Sequence, residues 1–228
     1  MTTYKNKKAL AIVAHPDDEI LGIGGTLAKL RREGCETHVL ILTNYADYRK
    51  DLPNHETFKE DTVNKAMISL GVTSWDQGDF PSLYMDSTPI RDIAGFIEEC
   101  LMRIQPNIVF THFEGDLNKD HQITSEATLI ATRPVSNYPV KEVYAFETPS
   151  SSEWSFGNTR GCFTPDTFVS LESKDWDTKL VTLAIYWAEL RLPPHPRSAK
   201  AIEALAVTRG ATIGVEKAEA LMTLRRLI

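Results

Sequence analysis

The stretch "KALAIVAHPDDEILGIGGTLAKL", residues 8–30, decides the fold. Its apolar opening is typical of a buried strand, and one imidazole and three carboxylates follow within residues 15–19. A roughly helical period comes next, carried by Leu21, Leu27 and Leu30. A strand that passes through a polar turn into a helix is the first half of a βαβ unit, from which parallel sheets are built.

The first two thirds of the chain repeat this alternation. Apolar, β-rich runs predict further strands at "ETHVLILTN", "WDQGDF", "NIVFTHF", "EVYAFET" and "TFVSLE". Helical patterns occur at "ETFKEDTVNKAMISLG" and "STPIRDIAGFIEECLMRI". From Lys174 onward the pattern is entirely helical, including the final "EKAEALMTLRRLI". We therefore expect an α/β fold in one domain, 1–228, with a mostly parallel sheet, helices on both faces and a C-terminal helical extension over 174–228.

Composition and charge exclude several classes of protein. The 228 residues are 42% hydrophobic, enough for a sizeable core, and 25 basic and 31 acidic side chains give a net charge of −6. No basic field exists to attract a nucleic-acid backbone or an anionic membrane, so neither is an expected partner. The apolar run before His15 is too short for a membrane-spanning helix or a secretory signal, which predicts a cytoplasmic protein without membrane insertion.

Chemistry-bearing side chains follow two of the predicted strands. Residues 15–19 come after the first strand, and "THFEGDLNKDHQ", which contains Asp120 and His121, comes after "NIVF". Because ligands bind beyond the carboxyl ends of the strands in such sheets, we expect the two loops to be neighbours in space. A catalytic zinc takes three imidazole and carboxylate ligands and keeps one position open for a water, whose pKa it lowers to near neutrality.

His15, Asp18 and His121 are the predicted metal ligands. His15 and Asp18 are three residues apart and point to the same side if the chain turns into a helix there, and His121 would close the site from the second loop. Asp17, next to them, is placed to take a proton from the water and pass it to a leaving group. Asp120 would orient an imidazole through a hydrogen bond.

A helix cap is the competing interpretation of residues 15–19. Asp and Glu in a first helical turn complement the helix dipole, and capping is far commoner than catalysis. The second loop shifts this balance. A histidine and an independent Asp-His pair, each placed after a predicted core strand, are harder to produce by capping alone.

The motifs "AHPDDE" and "THFEGDLNKDHQ" resemble those of the LmbE/PIG-L family of zinc-dependent deacetylases, which remove acetyl groups from N-acetylglucosaminyl compounds. The resemblance covers most of the chain, because the strand order and the late segment "PPHPRSAKAIEALAVTRG" are also similar to bacterial members. It implies a Rossmann-like fold and a zinc cofactor held by His15, Asp18 and His121. By the same resemblance Asp17 is the general base and Asp120 supports a histidine.

One position departs from the family pattern. Better-studied members carry a further histidine three residues before the last ligand, where it stabilises the oxyanion or protonates the amine, and here that position is Asn118. An asparagine amide donates to an oxyanion but cannot act as an acid. Either Asp17 carries out both proton transfers, or another imidazole, such as His195 of the Pro-rich link, enters the site from this chain or a neighbouring subunit. A structural turn before a helix is the competing interpretation of His195.

Sugar contacts are predicted from two polar loops. Arg49, after the second strand, has a guanidinium suited to sugar hydroxyls or phosphate, although a solvated arginine is the commoner outcome. Glu147 and Ser151 follow the strand "EVYAFET" and lie close to Trp154 in sequence, so that hydroxyls and an aromatic face would suit a sugar ring. The alternative is a surface loop with one packed tryptophan.

Together these features predict a metal-dependent hydrolase, and the resemblance implies that it removes the acetyl group from an N-acetylglucosamine-type amino sugar. The alternatives are hydrolysis of another amide, such as a thiol-sugar conjugate, and a non-catalytic metal- or sugar-binding protein. The carrier of the sugar and the oligomeric state stay open, a homo-oligomer included. The ligand set also accepts Fe²⁺ or another divalent transition metal in place of Zn²⁺.

Overall fold

The computed structural model describes residues 4–44, 60–135, 138–156 and 161–227. Seven strands form one sheet, in the order β3-β2-β1-β4-β5-β7-β6. The strands are β1 (Lys8–Val13), β2 (Glu36–Asn44), β3 (Ser74–Pro81), β4 (Ile108–His112), β5 (Glu142–Phe146), β6 (Thr167–Ser170) and β7 (Ala218–Arg226). The α-helices of the described residues are α1 (Asp18–Arg32), α2 (Glu60–Leu70), α3 (Ile90–Ile104), α4 (Lys119–Ala131), α5 (Ser173–Ile185) and α6 (Ala199–Thr212). In this described part of the chain, none of the helices combines the length and apolar character needed to span a bilayer.

The parallel part of the sheet has the Rossmann strand order. Strand β1 pairs in parallel with β2 on one side and β4 on the other, and β3 and β5 extend the sheet in the same direction. The order therefore reverses between β1 and β4, which makes their carboxyl ends the topological switch point where such sheets bind ligands. The predicted α/β, Rossmann-like fold is confirmed.

The apolar run of β1 is continuous because both faces of the strand are covered. Ala9, Ala11 and Val13 point into a core shared with α1, α2, α5 and α6, whereas Leu10 and Ile12 point into a core shared with α3 and α4. Strands buried on both faces lack the alternation of half-exposed ones. The core thus fixes β1 in the centre of the sheet and aims its carboxyl end at the switch point.

The C-terminal segment corrects the predicted helical extension. Residues 218–226 form β7, which pairs antiparallel with both β5 and β6, so only α5 and α6 of the extension are helical. The segment is rich in helix-favouring Ala, Glu and Leu, but the edge of β5 would otherwise leave a row of backbone groups unpaired. Tertiary pairing therefore overrides local propensity. The predicted start of the second helix, at 56–59, lies outside the described residues.

Helix α1 lies unusually close to the sheet. A side-chain carbon on Gly22 would lie 2.3 Å from the ring of Phe146, so only glycine fits there. The helix is also kinked at Ile23, where φ is −134° and ψ is 24°. The close approach and the kink hold the first turn of α1 over the end of β1.

Candidate active site

The two predicted loops meet at the switch point. Strand β1 ends at Val13 and leads through residues 14–17 into α1, while the neighbouring β4 ends at His112 and leads into α4. Asn118 is the N-cap of α4, and its Oδ1 accepts the Asp120 backbone N–H at 2.9 Å. Asp120 and His121 therefore lie in the first turn of a helix, which corrects their predicted place in a loop.

His15, Asp18 and His121, here named the His/Asp cluster, are brought together at this point. One ligand atom from each lies within 4.8 Å of the others, and all three side chains are buried. The rings of His15 and His121 are 5.3 Å apart between centroids. Two imidazoles and a carboxylate at this spacing form the type of ligand set that divalent transition metals bind.

Unpartnered atoms in the cluster fit a metal. Asp18 Oδ1 and both ring nitrogens of His121 are buried and form no hydrogen bond within the described ranges of the chain. His121 Nε2 lies 3.3 Å from Asp18 Oδ2. Leaving buried polar atoms unpaired costs free energy, and buried polar groups are normally paired, so these atoms indicate a missing ligand.

A second group of possible ligands, His112, Asp116 and His121, overlaps the cluster. Its two members outside the cluster are already partnered: His112 Nε2 accepts the Ala14 N–H at 3.0 Å, and Asp116 accepts from the Asn118 N–H and the Ser152 hydroxyl. The residues of the His/Asp cluster therefore fit a metal better than this second group does.

Carboxylates support both histidines of the cluster from outside. Asp120 Oδ2 lies 3.1 Å from His15 Nε2 and also accepts the Leu83 backbone N–H at 2.5 Å. Asp116 Oδ2 lies 3.2 Å from His121 Nδ1. Such partners fix the orientation and raise the basicity of metal-binding imidazoles. The predicted contact of Asp120 with an imidazole is present, and the imidazole is that of His15.

The electrostatics of the cluster reflect its buried carboxylates. Burial alone would lower the pKa of His121, but the charges of Asp18 and Asp116 outweigh it and raise the pKa of His121 to about 10. Burial alone would raise the pKa of Asp18, but the imidazoles of His121 and His112 hold it well below its usual range. Burial, and after it His121, lowers the pKa of His112 to about 4, which keeps that ring neutral. The metal-free cluster therefore holds a proton on His121 in place of a metal charge.

Asp17 lies next to the cluster and is also buried, with 2% of its surface exposed. Its φ of 104° is in the left-handed region, which a non-glycine residue adopts only when the surroundings impose it. Asp17 Oδ2 accepts from Arg197 Nη1 at 2.9 Å, and its backbone N–H donates to Glu19 Oε2 at 3.1 Å. Burial, and after it the charge of Asp17, raises the pKa of Glu19 to about 8. Glu19 thus contacts the helix start, as expected for a capping role.

The other predicted contacts are dispersed. Ser151 is buried and donates its N–H to the Thr148 carbonyl, while its own carbonyl accepts from Leu117. Glu147 is engaged by Arg209, at 2.6 and 2.8 Å. Arg49 lies outside the described residues.

His195 forms a structural turn before α6. Its Nδ1 accepts the Arg197 backbone N–H at 3.0 Å, and its ring contacts Trp154 edge-on at 5.2 Å between centroids. The side chain of this Pro-rich link that contacts Asp17 is instead Arg197. The competing interpretation of His195, a turn at the start of a helix, is therefore the one the geometry favours.

Sequence reasoning missed the roles of Asp116 and Arg197. A signal for Asp116 was available, because it lies in the same motif as His121 and a metal-binding histidine needs a partner for its other nitrogen. The contact of Arg197 with Asp17 had no such signal, since 180 residues separate the two. His112 stacks on His121 at 3.9 Å between ring centroids, a contact that only the neighbouring strand and helix create.

A Rossmann-like sheet with a buried His/Asp metal site at its switch point defines the class of metal-dependent α/β enzymes. A family model described as PIG-L, GlcNAc-PI de-N-acetylase, matches residues 10–132, more than half of the chain. The chain belongs to the PIG-L family and is a deacetylase of that family, which confirms the resemblance of its motifs.

Similar proteins come from distant organisms. The uncharacterized deacetylase YaiS of Escherichia coli K12 is 24% identical over 184 residues, which cover 78% of this chain and 90% of YaiS. N,N'-diacetylchitobiose deacetylase from Pyrococcus horikoshii superposes with a TM-score of 0.75 at 20% identity, covering 96% of this chain and 84% of its own. GalB of Pseudomonas putida KT2440, a 4-carboxy-2-hydroxymuconate hydratase, superposes with a TM-score of 0.74 at 23% identity, covering 97% of this chain and 98% of GalB. The two structures share the fold, and GalB shows that the fold also serves a different reaction.

Proposed function

We propose that this chain hydrolyses the acetamide of an N-acetylated amino sugar, releasing acetate and a free amine. The observation that carries the proposal is a buried His/Asp cluster in which Asp18 Oδ1 and the His121 ring nitrogens form no hydrogen bond, set beside the buried carboxylate of Asp17. The family description names an N-acetylglucosaminyl compound, and the Pyrococcus protein is a deacetylase of diacetylchitobiose. Both support an amino-sugar substrate.

His15, Asp18 and His121 would hold the metal through imidazole and carboxylate atoms. A divalent ion held there would lower the pKa of a water molecule and polarise the acetyl carbonyl. Zn²⁺ suits this ligand set, and Fe²⁺ or another divalent transition metal is also compatible with it. Asp120 and Asp116 keep the two imidazoles oriented from outside.

Asp17 carries the proton in this mechanism. As the oxygen of water forms its bond to the acetyl carbon, Asp17 accepts the proton released, and as the C–N bond breaks it returns a proton to the leaving nitrogen. The Asn118 amide, whose Oδ1 caps α4, has only its NH₂ end to donate to the carbonyl oxygen as negative charge develops. Because asparagine cannot supply a proton, both transfers belong to Asp17 in this proposal.

The substrate contacts are assigned by position. Ser151 lies on the segment after β5 that contacts Leu117, the residue before Asn118, and His195 lies two residues from Arg197. Ser151 is the proposed sugar contact, because it follows Ser150, whose hydroxyl accepts from Arg197 Nε at 2.9 Å. His195 is held in the turn before α6, so we assign it no direct contact. Glu147 would first have to leave Arg209, so we assign it no direct contact.

Acetate release from metal-loaded protein tests the proposal. A panel of N-acetylglucosamine derivatives with nucleotide, lipid, thiol-precursor and free oligosaccharide carriers should include at least one that yields equal amounts of acetate and amine. Acetate has to be measured directly, because the fold also serves a hydratase. Binding of panel members without any acetate release would leave a non-catalytic binding protein as the conclusion.

The Asp17→Asn variant separates the base from the metal. It should keep its metal and lose about 10²- to 10⁴-fold in kcat, because the amide cannot accept the proton. Metal content is measured on the same sample. Loss of metal from this variant would show that Asp17 is a ligand and would contradict its assignment as the base.

A further inference from the structure

We infer that Arg197 is a positioning residue that holds Asp17 in its reactive geometry. The inference rests on the proposed function, in which Asp17 carries the proton. It concerns a contact between the two ends of the chain, since the two residues are 180 positions apart. The Pro-rich link before α6 therefore contributes a residue to the site, and that residue is Arg197 rather than His195.

The guanidinium of Arg197 joins two buried carboxylates to a loop. Nη1 donates to Asp17 Oδ2 at 2.9 Å and to Glu189 Oε2 at 3.2 Å. Nε donates to Ser150 Oγ at 2.9 Å. The side chains of Asp17 and Glu189 are only 2% and 3% exposed, and that of Arg197 is 16% exposed. A planar fork with fixed donors suits this bridging geometry better than a flexible ammonium does.

Charge balance explains why Arg197 is needed. A buried carboxylate without a partner is strongly destabilised, and here the Arg197 guanidinium contacts both Asp17 and Glu189, with Arg191 Nη2 farther from Glu189 at 3.9 Å. Asp17 also has the strained φ of 104°, which persists only where several contacts impose it. The bond from Arg197 and the bond to Glu19 fix the residue from its side chain and its backbone.

The link itself is anchored on both sides of Arg197. The backbone N–H of Arg197 donates to His195 Nδ1 at 3.0 Å, and Ser198 caps α6 by accepting the Ala201 N–H at 3.2 Å. Arg197 therefore reaches Asp17 from a well-supported turn. A residue held this way is suited to fixing the direction of a carboxylate rather than to binding a mobile ligand.

Arg32 offers a matched control elsewhere in the fold. Its Nε donates to Asp175 Oδ1 at 2.8 Å, and its Nη2 lies 2.9 Å from Glu172 Oε1. The side chain of Asp175 is 1% exposed, so this arginine also joins a buried aspartate to a glutamate. Arg32 lies at the last residue of α1, at the end opposite to the site.

The experiment compares Arg197→Ala, Arg197→Lys and Arg32→Ala as metal-loaded proteins. Arg197→Ala should lose about 100-fold in kcat with little change in KM and metal content, because a misplaced base costs that order of rate. Guanidinium ion, added at concentrations that leave the wild-type rate unchanged, should restore part of this loss. Arg197→Lys should fall between wild type and alanine, and Arg32→Ala should keep the wild-type kcat.

Crystal structures of the wild type and of Arg197→Ala give a readout that does not depend on activity. The Asp17 carboxylate should be displaced by about 1 Å or more in the variant, with the metal ligands in place. An unmoved carboxylate, an unchanged kcat, or an equal loss of kcat in Arg32→Ala would each overturn the inference. If wild-type protein releases no acetate from any substrate, the proposed function fails, and the two structures still decide whether Arg197 positions Asp17.

Discussion

Two buried groups of charged side chains contact α1, and they differ in whether their polar atoms have partners within the chain. The first is the His/Asp cluster at the start of the helix. The second is the pair of Lys179 and Glu219 near its middle, with side chains 4% and 5% exposed. Burying charged groups costs free energy in both places. The comparison shows at which of the two the chain's own hydrogen bonds offset that cost.

The Lys179–Glu219 pair is fully satisfied. Glu219 Oε1 accepts from Lys179 Nζ at 2.6 Å and from the Gly25 N–H at 3.0 Å, while Oε2 accepts the Thr26 N–H at 2.6 Å. Lys179 also donates to the Leu21 carbonyl at 3.0 Å. These backbone groups lie on either side of the kink at Ile23, where the regular helical bonds are interrupted. The pair therefore completes the backbone hydrogen bonding of a kinked helix.

The His/Asp cluster is supported from outside and left incomplete inside. Asp120 contacts His15 and Asp116 lies 3.2 Å from His121 Nδ1, yet Asp18 Oδ1 and both ring nitrogens of His121 form no hydrogen bond among the residues described. Buried charged groups whose atoms have partners within the chain indicate a structural role, whereas a group of metal-binding side chains with unpartnered buried atoms indicates a ligand site. The following predictions test this distinction.

Removing a ligand of the cluster should have the largest effect. His121→Ala leaves two of three ligands, so the metal content of purified protein should fall from about one ion per chain to about none, and acetate release should fall to background. Elemental analysis and an acetate assay measure both. Lys179→Met, measured in parallel, should keep its metal. Loss of metal from both variants would contradict the distinction between a ligand site and a structural ion pair.

Breaking the satisfied pair should act on stability instead. Lys179→Met leaves Glu219 buried without its cation, and the free energy of unfolding should fall by about 3–5 kcal/mol in urea titrations. Lys65→Met is the control, because the Lys65–Asp61 pair is exposed and should contribute about 0.5 kcal/mol or less. An equal loss in the free energy of unfolding for the two substitutions would show that the buried pair does not contribute more to stability than the exposed one.

Removing a supporting carboxylate should have a smaller effect on the metal. Asp116→Ala takes away the partner of His121 Nδ1, and the metal dissociation constant should rise about 10- to 100-fold in a chelator competition titration. Glu126→Ala, an exposed change on α4, the helix that carries His121, should leave this dissociation constant unchanged. An unaltered affinity in Asp116→Ala would mean that the contact does not orient the imidazole.

The stability of the metal-free protein should also depend on pH, and the expected change in the free energy of unfolding per pH unit is small. The folded-state pKa of His121 is raised from 6.5 to about 10, and that of Glu19 from 4.5 to about 8. A raised pKa contributes stability that is complete below the unfolded value and is lost as pH rises toward the folded one. Between pH 6.5 and about 10 the free energy of unfolding should therefore fall, by about 1.4 kcal/mol per pH unit for each extra proton bound.

Urea titrations in the presence of a chelator measure this slope. The His121→Asn variant should have a shallower slope between pH 8, above which Glu19 no longer contributes, and about pH 9, above which the raised pKa values of the buried Cys35 and Cys100 thiols add a slope of their own. A stability that rises over this range in wild-type protein would contradict the assignment of a proton to His121. Metal binding should release protons in the same range, because the imidazole has to be neutral to act as a ligand.

Much of the fold and the core of the site followed from local patterns. The apolar run of β1, its polar turn and the leucine period of α1 predict a βαβ unit, and the second motif after β4 predicts a neighbouring half of the site. Predicting His15, Asp18 and His121 as one group needed only ligand chemistry and the rule that parallel strands end at one edge. The prediction of a helix at the C-terminal segment was wrong, because its helix-favouring residues form β7 and pair with the open edge of β5.

The sequence by itself therefore determined the parallel sheet, the switch point and the chemistry gathered there, because periodicity and residue type act over short distances. Only the tertiary structure decided which side chains support that chemistry. Asp120 contacts His15, 105 residues away, and Arg197 contacts Asp17, 180 residues away. Such pairs depend on how helices and turns dock in three dimensions, and the buried environment that makes them strong exists only after the chain has folded.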